Sequence, residues 1–448
     1  MEDRPKAKRS EPNDRDKEEV RGTHRLAGEA LTPEQAVLER GLERLPTFRS
    51  LAYPDYRYFW IGALLSNTGT WMQMIAQGAL IVFVLNGTAI TVGLVNFAST
   101  LPVFFLSLPA GVLADHVDRR RLLIWAQVLL LIQALVLGYL TQSGLITVVS
   151  LSAIVFAAGL VTSFMFPAWQ AMLPDLVPKR NLMNAIALNS AQFQSARFIG
   201  PAIASLILAR IGYAEVFYIN GLSFLAVIAA LAVIRPKQEM RPRGEESVLQ
   251  ILTGGLRYAR ENTCVAVYLG TVAVVTLFGF FYVYLLPVIA KEFGVGPDGL
   301  GYLMAASGLG ALAGALFVAR LPHEARKDRL VKAGLVVLGA LLLVFAVSPS
   351  PLLSSLLLVG VGGSFMFVTS SANTAIQSMV PGHIRGRIMA LFVLSFMGLM
   401  PFSSLLGGFI AEHLGTSVAI GISGLALLAH GGLLYARPAL LLRCKTEG

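Results

Sequence analysis

The sequence predicts an all-α polytopic membrane protein, with twelve transmembrane helices in two six-helix pseudo-repeats. Composition gives the first reason. Of 448 residues, 55% are hydrophobic and only 14% charged, whereas soluble domains hold about 25% charged residues. Mean hydropathy is +0.67. The second reason is the grouping of apolar residues into runs of roughly 20, the helical length that spans a bilayer core. The third is that basic residues fall in alternate loops.

Residues 1–47 read as a charged, mostly disordered cytoplasmic extension. Their mixed charges (Lys6, Arg9, Asp14, Arg15, Asp16, Lys17, Glu18, Glu19) leave too little apolar surface for a core. Thr32-Pro33-Glu34-Gln35 has the spacing of a helix start, so residues up to about Glu43 read as a short surface helix or as a solvated linker. The charged N-terminus lacks the apolar stretch of a signal peptide.

Apolar spans follow at about 58–85, 92–113, 122–141, 147–173, 184–209 and 215–234. After a polar stretch they resume at about 263–290, 299–320, 331–348, 352–376, 388–411 and 417–436. Residues 48–234 form the first half and 263–436 the second. Between them lies a cytoplasmic linker, 235–262, and a cytoplasmic tail closes the chain at 437–448.

With the N-terminus placed in the cytoplasm, every lysine and arginine except Arg197, Arg210 and Lys291 falls in inside segments. That asymmetry sets a multi-pass topology in the cytoplasmic membrane with both termini inside. It also assigns the net charge of +10 to the membrane surface rather than to nucleic acid. Two cysteines, Cys264 and Cys444, give no disulfide framework, and Cys444 is expected to stay reduced.

The halves resemble each other. Val177-Pro178-Lys179-Arg180 precedes a span containing Ala187-Leu188. Val380-Pro381-Gly382-His383 precedes one containing Ala390-Leu391 at the same spacing. Each lies between the fourth and fifth span of its half, the pattern of repeated-half transporters.

The loop between spans 2 and 3 runs Gly111, Val112, Leu113, Ala114, Asp115, His116, Val117, Asp118, Arg119, Arg120, Arg121. It resembles the signature of the major facilitator superfamily: Gly, three residues, Asp, Arg, one residue, Gly, then two basic residues. His116 replaces the first arginine and Asp118 the second glycine. The second departure is similar to the drug- and siderophore-exporter branch, that of enterobactin and macrolide efflux. So are Phe166-Pro167-Ala168-Trp169-Gln170 with Leu173-Pro174-Asp175, Asn184-Ala185-Ile186-Ala187-Leu188-Asn189-Ser190, and Arg385-Gly386-Arg387-Ile388-Met389-Ala390-Leu391. The likeness covers about residues 48–436.

The resemblance implies a gate. Asp115 would face the start of span 11, where Arg385 and Arg387 add basic partners, and a carboxylate near a helix N-terminus is favourable. Arg119 or Arg120 can reach Asp175, and Gly111 lets helices approach closely. Gly200-Pro201 is similar to the antiporter motif of the family, with Ala204-Ser205 where two glycines are usual.

Span 5 carries Arg197 near its centre. A mid-bilayer charge costs at least about 2.5–3.5 kcal/mol, so it should face the bundle interior. It would bind an anionic or polar substrate, take part in coupling, or hold polar groups between spans. Span 1 carries Asn67, Thr70, Gln73 and Gln77, and span 10 carries Ser370, Asn373 and Gln377. With Asn189 on span 5 and Tyr282 on span 7, these are the candidate cavity residues, set against interhelical hydrogen bonding as the structural reading. No carboxylate lies mid-span. Glu215, His430 or the substrate's own proton are open as proton carriers.

The expected function is a secondary active transporter that exports a small organic molecule, drug-like or a siderophore, by alternating access with proton antiport. An importer or lipid flippase of the same fold is the alternative. A polytopic membrane enzyme is the rival class, resting only on the spacing of His323 and Asp328. No phosphate-binding Gly-x-x-x-x-Gly-Lys stretch, metal motif or cofactor motif is present. The expected partners are substrate, protons and the lipid bilayer, with a monomer as the default.

Overall fold

The computed structural model describes residues 46–114, 117–234, 248–320 and 326–437. A 3-10 helix at Pro46–Ala52 leads into α1 (Pro54–Ala79), which continues as a π-helical turn at Leu80–Val84. Five more long helices complete the first half. They are α2 (Ala89–Ala114), α3 (Arg119–Gln142), α4 (Val148–Met172), α5 (Leu182–Arg210) and α6 (Tyr213–Val233). A linker helix, Val248–Glu261, precedes the second half. There α7 runs Thr263–Gly279 and Phe281–Glu292, followed by α8 (Pro297–Ala319), α9 (Lys327–Ala346) and α10 (Pro351–Met379). The last pair is α11 (Gly382–Val393, a π turn at Leu394–Gly398, then Met400–Leu414) and α12 (Thr416–Ala436). Among the described residues there is no strand.

Twelve long helices therefore occupy the twelve expected spans. Several begin earlier than the apolar runs, because Asp55, Arg119 and Arg385 are helical although polar. Among the described residues, ten helices are long and apolar enough to cross a membrane on length and composition alone. The other two, α1 and α5, have the length but are diluted by amides, hydroxyls and Arg197. Large apolar side chains such as Phe105, Trp125 and Leu222 are exposed on the outside of the bundle, where lipid is their solvent. Most of the expected N-terminal extension, part of the linker and the tail lie outside the described residues. The linker helix is amphipathic and packs on the first segment of α11.

Helix starts are set locally. Asp118 accepts from the Arg121 backbone to open α3, Ser350 does the same for α10, and Thr147 with Ser150 forms a reciprocal capping box on α4. The two halves repeat these local solutions. Pro178 and Pro381, in the matched sequence stretches, adopt nearly the same conformation, φ −60 ψ 149 and φ −57 ψ 148. Gly212 and Gly415 turn the chain before α6 and α12 at φ +149 and +91, where a side chain would be strained.

Packing repeats too. Within the halves α2 lies on α4 as α8 lies on α10, and α3 on α6 as α9 on α12. Between the halves the main pairings are α5 with α8 and α2 with α11, which the repeat relates to each other. These seams are made by small residues. A Cβ added to Gly93 would sit 2.7 Å from the Ser404 carbonyl oxygen, and one on Gly408 2.7 Å from that of Ala89. Both lie toward the end of the bundle away from the described termini, here called the far end.

One expectation is overturned at the start of α7. Cys264 is disulfide-bonded.

Gly408→Leu should split the α2–α11 seam, lowering Tm by several degrees in a detergent melt. Gly421→Leu, where an added Cβ meets nothing within 4 Å, should leave Tm unchanged.

Candidate functional site

At the terminal end, Asp115 and His116 of the signature loop lie outside the described residues, and the proposed latch carboxylate with them. The basic cluster that follows is placed. Arg119 pairs with Asp175 at 3.0 Å, the two side chains only 6% and 16% exposed, and also donates to the Ala171 carbonyl. Arg120 does not share that carboxylate. One residue further round α3 is a turn of about 100°, and it donates instead to the carbonyls of Leu231 and Ala232 at 2.5 and 2.7 Å, closing the C-terminus of α6. Gly111 makes no close approach in this arrangement, since an added Cβ would meet nothing within 4 Å.

Arg385 is engaged within the second half, and Arg387 lies against the linker helix. Arg385 donates to the Val380 carbonyl at 3.4 Å. Arg387 packs over Gly254 and Gly255 of the linker helix. Asn184, in the Asn-Ala-Ile-Ala-Leu-Asn-Ser stretch, ties the chain start to α5, accepting from the Ser50 backbone and donating to the Thr47 carbonyl.

At the far end the halves are clasped. Lys291 on α7 donates to the Val82 carbonyl at the end of α1, 3.1 Å away. Glu412 on α11 accepts from the Ile90 backbone N–H at the start of α2, at 3.2 Å. Each charge meets the helix end of opposite sign. Ser404 donates to the Gly93 carbonyl beside them. The sequence sets Lys291 apart from the inside segments but does not pair it, because its contact joins separate halves.

Beneath this clasp lies a partly open cavity between α1, α2, α4, α7 and α8. Its walls include Met74, Gln77, Val92, Asn96, Tyr284 and Met304. Gln77 is the one sequence candidate among these. Trp71, Asn96 and Tyr284 were not foreseen, since aromatic and single amide residues are common on buried faces of any helix.

Arg197 sits fifteen residues after the start of α5 and thirteen before its end. It is 8% exposed, and its guanidinium lies over the Trp71 ring, 5.5 Å from the centroid. Trp71 in turn makes an edge contact with Phe193 at 6.0 Å. No carboxylate among the described residues pairs with Arg197. Gly200 and Pro201 hold this stretch of α5 against its neighbours. A Cβ on Gly200 would lie 2.6 Å from the Trp71 Cβ, and the Pro201 carbonyl approaches Gly301 of α8.

Two cavity candidates face elsewhere. Gln73 is bound inside the first half, accepting from Asn220 at 2.8 Å and donating to Gln133 at 3.3 Å. Steps of three residues rotate the helix face back by about 60° each, so Gln73 points well away from Asn67. Tyr282 is fully buried, its hydroxyl paired with Ser307 at 2.9 Å. Asn67 donates to Gln192, which links α1 to α5. Asn189 is half-buried, while Gln377 is exposed and donates to Asn373 one turn back on α10. Of the possible proton carriers, Glu215 lies at the far-end start of α6. His430 is hydrogen-bonded to Thr271 at 3.0 Å inside the second half.

Residues 46–442 match the transmembrane secretion effector family. The multidrug efflux pump Tap of Mycolicibacterium fortuitum is 25% identical over 391 residues, 84% of this chain and 94% of the relative. The enterobactin exporter EntS of Shigella boydii is 28% identical over 333 residues, 72% of this chain and 77% of the relative. The fold is similar to that of the nucleoside transporter NupG, with a TM-score of 0.65 at 12% identity, over 88% of this chain and 100% of that one.

Glu412→Gln together with Lys291→Gln should loosen the clasp. Spin labels at Thr88 and Ser417, in a chain with both native cysteines replaced by serine, should show the far-end-open population rising severalfold. An unchanged distance distribution would mean that the clasp does not set this equilibrium.

Proposed function

The chain belongs to the transmembrane secretion effector family of major facilitator transporters, and we propose that it carries a small organic molecule out of the cell by proton-driven alternating access. It is a multi-pass membrane transporter and not an enzyme. The observation that carries the mechanism is the one-sided closure. Lys291, Glu412 and the small-residue seams join the halves at the far end. At the terminal end Arg119 and Arg120 are engaged within the first half and Arg385 within the second. This supports an inward-open state, with the termini in the cytoplasm as the distribution of basic residues requires.

In the proposed cycle, substrate enters from the cytoplasm and meets Gln77 and the Trp71–Arg197 pair. The far-end clasp then opens while Asp115 meets the start of α11 and closes the inner side. Gly111, which has free space around it here, accommodates that approach. Arg119 and Asp175 keep α3 and α4 together throughout, because separating a buried pair leaves an uncompensated charge. The outward direction is supported by the efflux and export named for the two relatives.

Efflux from cells expressing the chain tests this over a panel of dyes, macrolides and catecholate siderophores. Accumulation of at least one compound should fall severalfold and recover with an uncoupler. Raised accumulation would overturn the export direction. In the same assay Asp115→Asn should abolish transport while the protein still inserts in the membrane. Full activity in that variant would remove the latch from the cycle.

A further inference from the structure

We propose that the central cavity selects amphiphilic organic anions, with a single carboxylate-type head at Arg197 and an apolar or aromatic body in the chamber beneath the far-end clasp. This rests on the reading of that cavity as the transport site. The first observation is the isolated charge. Arg197 is mid-helix and nearly buried, its one described side-chain partner is the face of Trp71, and arginine cannot shed its proton to become neutral. Its nitrogens have no hydrogen-bond partner among the described residues, yet they are absent from the sealed, unsatisfied atoms, so they face open space. A guanidinium offers a planar fork of donors matched to a carboxylate.

The second observation concerns the neighbouring amide. Gln192 is 1% exposed. Its carbonyl oxygen already accepts from Asn67, and its Nε2 is buried without a partner. With Gln194 Nε2, three residues before Arg197 and also buried without a partner, α5 carries two unused amide donors on this stretch, which suits an anion.

The third observation is the chamber. Met74 lies three residues beyond Trp71 on α1. Met304 lies one turn beyond Gly308 on α8, whose added Cβ would be 2.6 Å from the Arg197 carbonyl. Both methionines line the cavity, so it lies about one helical turn along α1 and α8 from residues packed on Arg197. None of the lining residues is acidic or basic. Methionines give such a wall adaptable, polarisable packing. A cationic amphiphile finds no counter-charge here, and a molecule with two acidic heads finds only one arginine.

Equilibrium dialysis of the full-length chain in phosphatidylcholine nanodiscs tests the proposal with three probes sharing one ring. These are 1-naphthylacetate, 2-(1-naphthyl)ethylamine and 2-(1-naphthyl)ethanol. The acid should bind at least about tenfold tighter than the amine or the alcohol. Arg197→Gln should bring the acid down to the affinity of the alcohol without changing the alcohol. Arg197→Lys should fall between. Met304→Trp, which fills the chamber and leaves the charge in place, should weaken all three severalfold. Equal binding of acid and amine by the wild type, a retained acid preference in Arg197→Gln, or no binding of any probe would overturn the proposal. Dye or macrolide efflux that persists beside such a result would sink the anion selectivity and leave the export reading standing. Acid-selective binding without efflux of any compound would do the reverse.

Discussion

In a bilayer the lipid tails are as apolar as the helices, so burial of apolar surface gives two six-helix halves no reason to stay together. What can hold them is close backbone packing and the few hydrogen bonds that such packing allows. Here that requirement falls on two symmetry-related seams, α2 with α11 and α5 with α8. Gly93, Gly408, Gly301 and Gly308 bring the facing backbones into contact where any side chain would collide. Because the seams lie in the far half of the bundle, the helices beyond them are free to separate at the terminal end.

The two halves share a backbone plan and differ in chemistry. The first half is tied internally by amides, Gln73 with Gln133 and Asn220, and Asn67 with Gln192. The second half packs rings in the corresponding space, with Phe280, Phe365 and Phe396 in successive contact. Arg197 belongs to the amide-rich half, and its guanidinium lies over Trp71 of the same half. Buried amides are thus weighted to one half, while α7 and α8 of the other supply mostly apolar cavity wall.

Span number, span position and the matched Pro178 and Pro381 turns were legible in the sequence because each depends on local composition or local backbone preference. Arg197 was legible as an anomaly, since a charge in the middle of an apolar run has few explanations. Helix faces were less so. Asn67, Gln73 and Gln77 are close in spacing, yet Gln73 turns inward to α3 and α6 while Gln77 reaches the cavity. Spacing says which residues share a stripe, and only the neighbours decide what the stripe meets. Tyr282 shows the same limit, its hydroxyl finding Ser307 one helix away. The clasp was not legible, since Lys291 and Val82, like Glu412 and Ile90, are separated by most of a half or more of the chain.

The clasp is also weak by construction, and that has a mechanistic meaning. A charge at an exposed helix end contributes about 0.3–1 kcal/mol. Lys291 and Glu412 together therefore favour far-end closure by at most about 2 kcal/mol, a population ratio of roughly 30. A ligand can shift a two-state equilibrium only by its differential affinity for the two states. An equilibrium held by contacts of this size lies within reach of one well-placed carboxylate, or of a single proton, whereas a clasp made from a buried pair such as Arg119 and Asp175 would not. The strong pair sits inside a half, between helices that move together, and the weak contacts sit between the halves. This division of strengths lets the bundle rock without coming apart.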